Sequence, residues 1–400
     1  MVDVAIIGAG PAGSAAAIEL ARAGRSVLLI DGKTFPRTKV CGGCLSGPAT
    51  TRFKQLLGPG RDLPGVPGAR ISFVIGSYRL SVDPDGATWM VPRAEMDAAL
   101  AAAAEEAGAQ SSFGRAATLE QTDGRWDVIV GTERIRAGVV LVATGLSGLP
   151  KTLGIRNRCP SRPMVAQQWI QPAEPSLPAL GHVELHWLRE GYVGLATSDA
   201  DTCVVAIGCD RPDAVGESAW DRLRRLNPKA EIWDLLSADA PRRYGARGTA
   251  GFPWIPDALS DRNVLLIGDA AGYAEPYSGE GIGQAMCSAA CAAEAILAGG
   301  DISAQYARLM RRHHQRIVRR TQWVRTVLRS GIVQYIASKR PMLPRQWLSR
   351  LVEGVHVTAR DWKLDPRRGR KARKVSPLFS SETFQDGPSR FDPAVSRERL

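Results

Sequence analysis

An α/β fold, built on a parallel sheet with helices on its faces and an inserted β-rich segment, is predicted by three observations. Residues 2–7 are almost all apolar, as in a strand buried on both faces. A glycine-rich turn, an Ala-rich helix and a second apolar strand follow directly, a complete βαβ unit in about 30 residues. The buried-strand pattern then returns late, at Val264-Leu265-Leu266-Ile267, after a stretch of different character.

The elements follow in order. Pro11 sits at the first turn of a helix, where its missing N–H costs little. That helix runs through Ala15, Ile18 and Leu20 to Gly24, and residues 26–30 form the next strand, ending at Asp31. A loop rich in Gly, Lys and Arg spans 32–48. Short strands around Tyr78 and Trp89 and a helix opening at Pro92-Arg93 make a small insert at 70–110. Strands are expected at 128–130 and 139–142. Short strands recur through 164–208, with a helix near 217–226, and a long helix starts at Gly281. The expected division is a discontinuous nucleotide domain (1–155 and 250–300), a β-sheet substrate domain (156–249), a basic helical region (301–364) and a polar tail without order (365–400).

Charge is distributed unevenly. The formal net charge is +12, yet residues 308–374 carry 20 Lys or Arg against Glu353, Asp361 and Asp365. A solvated face, an anionic membrane surface and nucleic acid are the three readings of such a region, nucleic acid being the one not expected. Met310, Ile317, Val324 and Leu328 fall near one helical face among Arg312, Arg316, Arg319, Arg320 and Arg325, with Trp323 and Trp347 nearby. That pattern suits docking on a membrane surface; packing of the same face on the nucleotide domain competes. No apolar run is read as long enough to span a bilayer. The N-terminus has no signal-peptide pattern, so a cytoplasmic protein, peripheral at the membrane, is expected. Seven scattered cysteines do not make a disulfide framework.

Gly8-x-Gly10-x-x-Gly13 has a clear mechanism. Gly8 permits the tight turn, Gly10 lets the backbone approach a pyrophosphate, and Gly13 lets helix pack on strand. The helix N-terminus at Pro11-Ala12 supplies N–H donors to the phosphates. Asp31 is positioned to accept from a ribose. The late segment separates FAD from NAD. Gly268-Asp269 puts an acid just after a buried strand, suited to a ribityl hydroxyl. Pro276 and Gly279-Glu280-Gly281-Ile282-Gly283 open a helix whose N-terminus points donors at an isoalloxazine. The fold expected is therefore a Rossmann-like FAD-binding domain with an inserted β-rich substrate domain and a C-terminal helical region.

These segments, with residues 35–43 and the Arg93-x-x-x-Asp97-x-x-Leu100 helix, resemble the geranylgeranyl reductase branch of the p-hydroxybenzoate hydroxylase-like flavoproteins. The resemblance covers most of 1–145 and 250–300. It implies that Arg37, Lys39 and Arg93 contact the cofactor, Asp269 its ribityl chain, and Gly281-Ile282 its ring. It also implies reaction at the N5/C4a edge, with electrons from NAD(P)H or another donor bound transiently. Two positions depart from the pattern. Thr144-Gly145 stands where the hydroxylases carry Asp-Gly, and Gly191-Tyr192-Val193-Gly194-Leu195 lacks the Trp and Pro of the reductases.

Reduction of isoprenoid or lipid double bonds is the leading reading, on a small hydrophobic substrate. The alternatives are a monooxygenase (a hydroxylase or halogenase) in natural-product tailoring, and a non-catalytic flavin-binding module. Phe252-Pro253-Trp254-Ile255-Pro256 partly resembles a halogenase signature and is read as a packing segment. No residue is singled out as the catalytic acid; Tyr277 and Glu280 are candidates for it, and Cys41 is a catalytic candidate on the substrate side of the flavin. Trp169, Trp187, Tyr192 and Trp254 are candidates to line the substrate pocket. Cys41-Gly42-Gly43-Cys44 is read as a glycine turn at the flavin face rather than a redox dithiol. No metal site is expected, and His182 and His186 are read as structural.

Overall fold

The computed structural model describes residues 1–76, 78–82, 88–146, 148–158, 164–210, 217–273 and 279–312. The expectations for Pro276, Tyr277, Cys159, the basic region beyond 312 and the polar tail lie outside them.

The Val2–Ile7 strand is the middle of a six-stranded sheet, because its apolar side chains need cover on both faces. In spatial order the strands are Ser260–Asp261, Val264–Leu266, Ala137–Val142, Val2–Ile7, Val27–Asp31 and Gln110–Phe113. All pair in parallel except the Ser260–Asp261 edge. Ile6 is opposite Leu141 on one side and Leu29 on the other. Helices Pro11–Arg22 and Gly281–Ala298 pack on each other, and their alanines allow close approach: Ala15, Ala16, Ala17, Ala289, Ala292 and Ala295 are fully buried. Gly281–Ala298 is long and apolar enough to cross a bilayer, which the sequence reading denied for every segment. Its residues are apolar all round because most of it is buried in this core.

The second large sheet has seven strands. Their order is Arg247–Phe252, Met164–Pro172, Thr202–Asp210, Gly191–Ala196, His182–Leu188, Arg70–Ile75 and Tyr78–Val82. Every pairing is antiparallel except that of Arg70–Ile75 with His182–Leu188. The Arg70–Val82 hairpin is thus part of this sheet, not of the nucleotide half with which its position in the chain grouped it. Ile71 pairs with Val183, a partner that chain proximity does not reveal.

One face of this sheet packs on helix Ala219–Leu226, giving a second core of Trp169, Val193, Leu195, Val205, Ile207, Trp220 and Leu223. Ser218 caps that helix, its Oγ accepting from the Asp221 N–H at 3.1 Å. Two three-stranded sheets complete the fold. One is Ala117–Thr122, Arg125–Val130 and Glu133–Ile135; the other, Cys44–Leu45, Trp89–Met90 and Val66–Pro67, fixes Cys44.

Candidate functional site

The site lies beyond the carboxyl ends of the parallel strands, where open α/β sheets place their ligands. Gly8 follows the first strand with φ +105°, and a Cβ on it would lie 2.5 Å from the Ala143 carbonyl oxygen. A Cβ on Gly13 would lie 1.8 Å from the Gly8 oxygen. Only glycine fits either place. Pro11 is at the first turn of its helix and Gly10 is the N-cap, with no side-chain cap on the helix N-terminus. Asp31 has a structural duty in addition to the one expected of it. Its Oδ2 accepts from the Ala9 N–H at 2.8 Å and its Oδ1 from the Lys33 N–H at 2.9 Å, so it clamps the glycine turn.

A chain of alternating charges runs from there. Arg37 lies 3.6 Å from Asp31 and 3.2 Å from Asp97. Asp97 is fully buried and holds Arg93 in a bidentate pair, with Nε–Oδ1 3.0 Å and Nη2–Oδ2 2.9 Å. Arg93 and Asp97 share one face of helix Arg93–Glu106 at i, i+4. Burial works against the Arg93 charge, but Asp97 and Cys41, to which Arg93 also donates, raise its pKa overall.

Lys39 and Asp269 continue the row beside Gly145. A Cβ on Gly145 would lie 3.8 Å from Lys39 Nζ and 4.0 Å from Asp269 Oδ2. Burial raises the Asp269 pKa, against the opposing pull of Lys39 and Arg93. Burial and the Arg93 charge lower that of Lys39, with Asp269 opposing.

Asp269 is carried on a 3₁₀ turn, Gly268–Ala271, anchored on several sides. The Gly268 N–H donates to Ser288 Oγ at 2.7 Å, and a Cβ on Gly268 would lie 2.9 Å from that of Ala12. Helix Gly281–Ala298 begins next to it, and Gly279 reaches Cys44. These residues fit an FAD. The cradle of Gly8 and Gly13 excludes side chains, and Arg37 Nε is buried without a hydrogen-bond partner among the described residues.

A family model described as FAD dependent oxidoreductase matches residues 3–207. The chain belongs to the FAD-dependent oxidoreductase family. It is 30% identical over 370 residues to the menaquinone reductase of Mycolicibacterium smegmatis, covering 78% of this chain and 81% of the relative. It is 28% identical over 318 residues to a geranylgeranyl diphosphate reductase of Rhodobacter capsulatus, covering 74% and 75%. Among solved structures, the flavin-dependent brominase Bmp2 superposes with a TM-score of 0.68 over 93% of this chain and 98% of its own. At 22% identity that likeness speaks for the fold.

Two of the four aromatic residues expected in the oxidoreductase's substrate pocket lie elsewhere. Trp169 is in the second core, 1% exposed, with its ring edge-on to Trp220 at 5.6 Å. Strand alternation turns it to the helix-covered face. Trp254 Nε1 donates to the Ala270 carbonyl at 2.8 Å, and its backbone bridges to Tyr273. It is a strut for the turn that carries Asp269. Trp187 and Tyr192 are on the opposite face from Trp169, with ring centroids 5.6 Å apart.

That opposite face meets the Cys41–Cys44 turn, expected to lie on the flavin side: a Cβ on Gly42 would lie 2.9 Å from Ala196 Cβ. Register sets a row across it, namely Gln168, Ala206, Gly194, Leu185 and Phe73. Ala206 and Gly194 are only partly covered although they lie on inner strands of a seven-stranded sheet.

Cys41 and Cys44 are free thiols. Gly43 between them has φ +68°, and a Cβ there would lie 1.9 Å from the Val91 oxygen, so the segment is an obligatory glycine turn. Burial, with Glu280 and Cys41 nearby, pushes the Cys44 thiol up to about 12. Glu280 is 1% exposed. Glu184, His186 and Glu231 are close enough to share a cation, but Arg79 sits between the carboxylates at 2.8 and 3.0 Å. Asp97 escaped the list of site residues drawn from the sequence. Its signal is an Arg-x-x-x-Asp pair in a helix otherwise rich in alanine.

Proposed function

We propose that this oxidoreductase reduces a carbon–carbon double bond in the isoprenoid chain of a lipid. The observation that carries the reading is the partly open row Ala206–Gly194 on the sheet face that meets Gly42. Small side chains there leave a slot for a slim apolar chain beside the flavin-side loop. The relatives named for menaquinone and geranylgeranyl diphosphate, both isoprenoid compounds, support it.

In this reading the N-terminus of helix Pro11–Arg22 takes the FAD pyrophosphate, Asp31 a ribose and Asp269 the ribityl chain. Gly281-Ile282 faces the ring, and Arg93 with Arg37 balances the phosphate charge. FAD, when bound, supplies the two-electron transfer. Cys41 is half exposed, accepts from Arg93, and joins the loop that meets the sheet. It is the described residue best placed to hold a proton for the substrate carbon. The Trp187–Tyr192 pair closes the slot and excludes water at one end.

The test is anaerobic. The purified yellow protein is reduced with a stoichiometric amount of dithionite and mixed with a geranylgeranyl lipid that carries no quinone. Reoxidation of the flavin, with a product two hydrogens heavier by mass spectrometry, is expected. Reoxidation only in oxygen, with an oxygenated or halogenated product, replaces the reductase reading with a monooxygenase or halogenase one. Tight FAD with neither reaction points to a binding module. Cys41→Ala should lower turnover about 100-fold with FAD content unchanged, the usual effect of losing a general acid.

A further inference from the structure

On the helix-covered face of the seven-stranded sheet, opposite the face that meets Gly42, three metal-ligating side chains converge. Glu184 and His186 are two apart on strand His182–Leu188, so both point to one face. Their cross-strand partners, Leu195 and Val193, belong to the second core and fix which face that is. Glu231 comes from another element, as the N-cap of the short helix Ile232–Leu235. One ligand atom from each of the three lies within 4.8 Å of the others.

The three are graded from interior to solvent. His186 is 2% exposed, Glu184 is partly covered and Glu231 is about half exposed. A buried imidazole normally gives its polar nitrogens to hydrogen-bond partners. His186 Nε2 is buried with no hydrogen bond among the described residues, although Glu184 Oε1 lies 2.7 Å from it. Two atoms that close, and not aligned for a hydrogen bond, suit two ligands turned to one cation. His186 Nδ1 is 4.0 Å from Glu231 Oε1.

The cluster already draws a cation. Arg79 Nη1 donates to Glu184 Oε1 at 2.8 Å, the same oxygen that His186 Nε2 approaches, and Nη2 donates to Glu231 Oε1 at 3.0 Å. Two carboxylates share this one guanidinium. With His186 neutral, the four side chains keep one net negative charge, and a divalent ion in place of the guanidinium cancels it. Arg79 is on the edge strand Tyr78–Val82 and its side chain is 46% exposed. It can swing into water without disturbing either core, and a partly exposed ion pair costs little to break.

We infer that Glu184, His186 and Glu231 form a binding site for one divalent transition-metal ion of the zinc class, and that Arg79 is the cation it displaces. One imidazole nitrogen and two carboxylate oxygens are a ligand set that zinc accepts, and the exposed side at Glu231 admits water as a fourth. Calcium and magnesium, which take oxygen ligands alone, are disfavoured by the imidazole. The bound ion clamps strand His182–Leu188 to the chain at Glu231. None of its ligands is shared with the FAD site, so the proposed reduction stands or falls without it.

The experiment uses the FAD-loaded full chain without an affinity tag. Zinc chloride is titrated calorimetrically into the wild type and into Glu231→Gln, Arg79→Ala and Cys41→Ser/Cys44→Ser variants. One zinc per chain is expected in the wild type, with a rise in Tm. Glu231→Gln, at a half-exposed position, should keep its FAD and lose at least about tenfold in zinc affinity, the smallest effect seen when even an outer partner of a metal ligand is removed. Its Tm should no longer respond to zinc. Arg79→Ala should bind zinc about fivefold more tightly, since the competing ion pair is gone. No binding by the wild type, or equal binding by Glu231→Gln, overturns the inference. Unchanged or weaker affinity in Arg79→Ala overturns it as well. Zinc uptake lost in the cysteine variant and kept in Glu231→Gln marks an adventitious ion only, held by the thiols, and sinks the proposal.

Discussion

The two large sheets solve different problems with different materials. In the nucleotide half, function sits on backbone: glycines at 8, 13 and 268 that no side chain can replace, and a helix N-terminus left uncapped. Charge there is ordered in a row, Asp31, Arg37, Asp97, Arg93, of which the last two are buried. In the seven-stranded sheet, stability comes from aromatic packing on one face, with Trp169, Trp220 and Trp233 in successive edge-on contacts at 5.6 and 5.2 Å. Its other face has small residues only locally, at Ala206 and Gly194, beside the Trp187–Tyr192 pair. The lesson is that a cofactor site shared by a whole family can be held by a short segment, while a substrate site is a property of a surface assembled from many strands.

The sharpest break in that comparison is at Gly13. Gly13→Val must displace the Gly8 carbonyl, a shift that overpacking data put at about 3 kcal/mol or more. The variant should be colourless or insoluble, measured as flavin per chain. Trp169→Ala removes a buried aromatic from the other half and should cost about 3–5 kcal/mol by urea denaturation, while the soluble fraction keeps its FAD. Loss of flavin at equal stability loss would show that the halves are coupled more tightly than their separate cores suggest.

Asp97→Asn leaves Arg93 buried without its countercharge. About 3 kcal/mol of destabilisation is expected. FAD affinity should fall with it, since Arg93 and Arg37 both lose their anchor. Unchanged flavin affinity would remove the charge row from the cofactor site.

A smaller effect distinguishes Asp269. Its pKa is raised in the folded protein by burial, so the folded state holds the proton more tightly than the unfolded chain. The stability this contributes is complete below the ordinary carboxylate range and is lost as pH rises through the raised value. The Tm of FAD-free Asp269→Asn relative to wild type should therefore increase with pH; a difference independent of pH would refute it. The smallest effect is at Cys44. With a thiol near 12 it is protonated at neutral pH, so iodoacetamide should label it far more slowly than the model-thiol rate until the pH approaches that value. Peptide mapping by mass spectrometry reads this directly.

Much of the nucleotide half was legible in the chain because its signals are local. Three glycines, one proline and the strands either side lie within the first 31 residues, and the acid Asp269 follows its strand directly. The physical reason is that a tight turn and a helix terminus are decided by φ and by N–H groups of neighbouring residues. Asp31 is an instructive half-case. The sequence placed it at the strand end, but its hold on the Ala9 N–H depends on how the turn folds back.

The seven-stranded sheet was legible only as a pattern of short strands. An aromatic residue in a strand faces one side or the other, and a one-residue change of phase reverses the answer. That is why Trp169 and Trp187 could not be told apart by type and ended on opposite faces. The hairpin Arg70–Val82 joined a sheet whose other strands lie about a hundred residues away, a pairing that no local rule contains. Arg247 and Gln168 became neighbours of Lys33 by the same long-range register. The sequence alone determined that this protein binds a flavin dinucleotide on a parallel sheet, because backbone chemistry is written in consecutive residues. Tertiary structure alone decided which side chains of the seven-stranded sheet meet the loop after the second nucleotide-sheet strand, because cross-strand register and the docking of two sheets bring together residues that the chain keeps far apart.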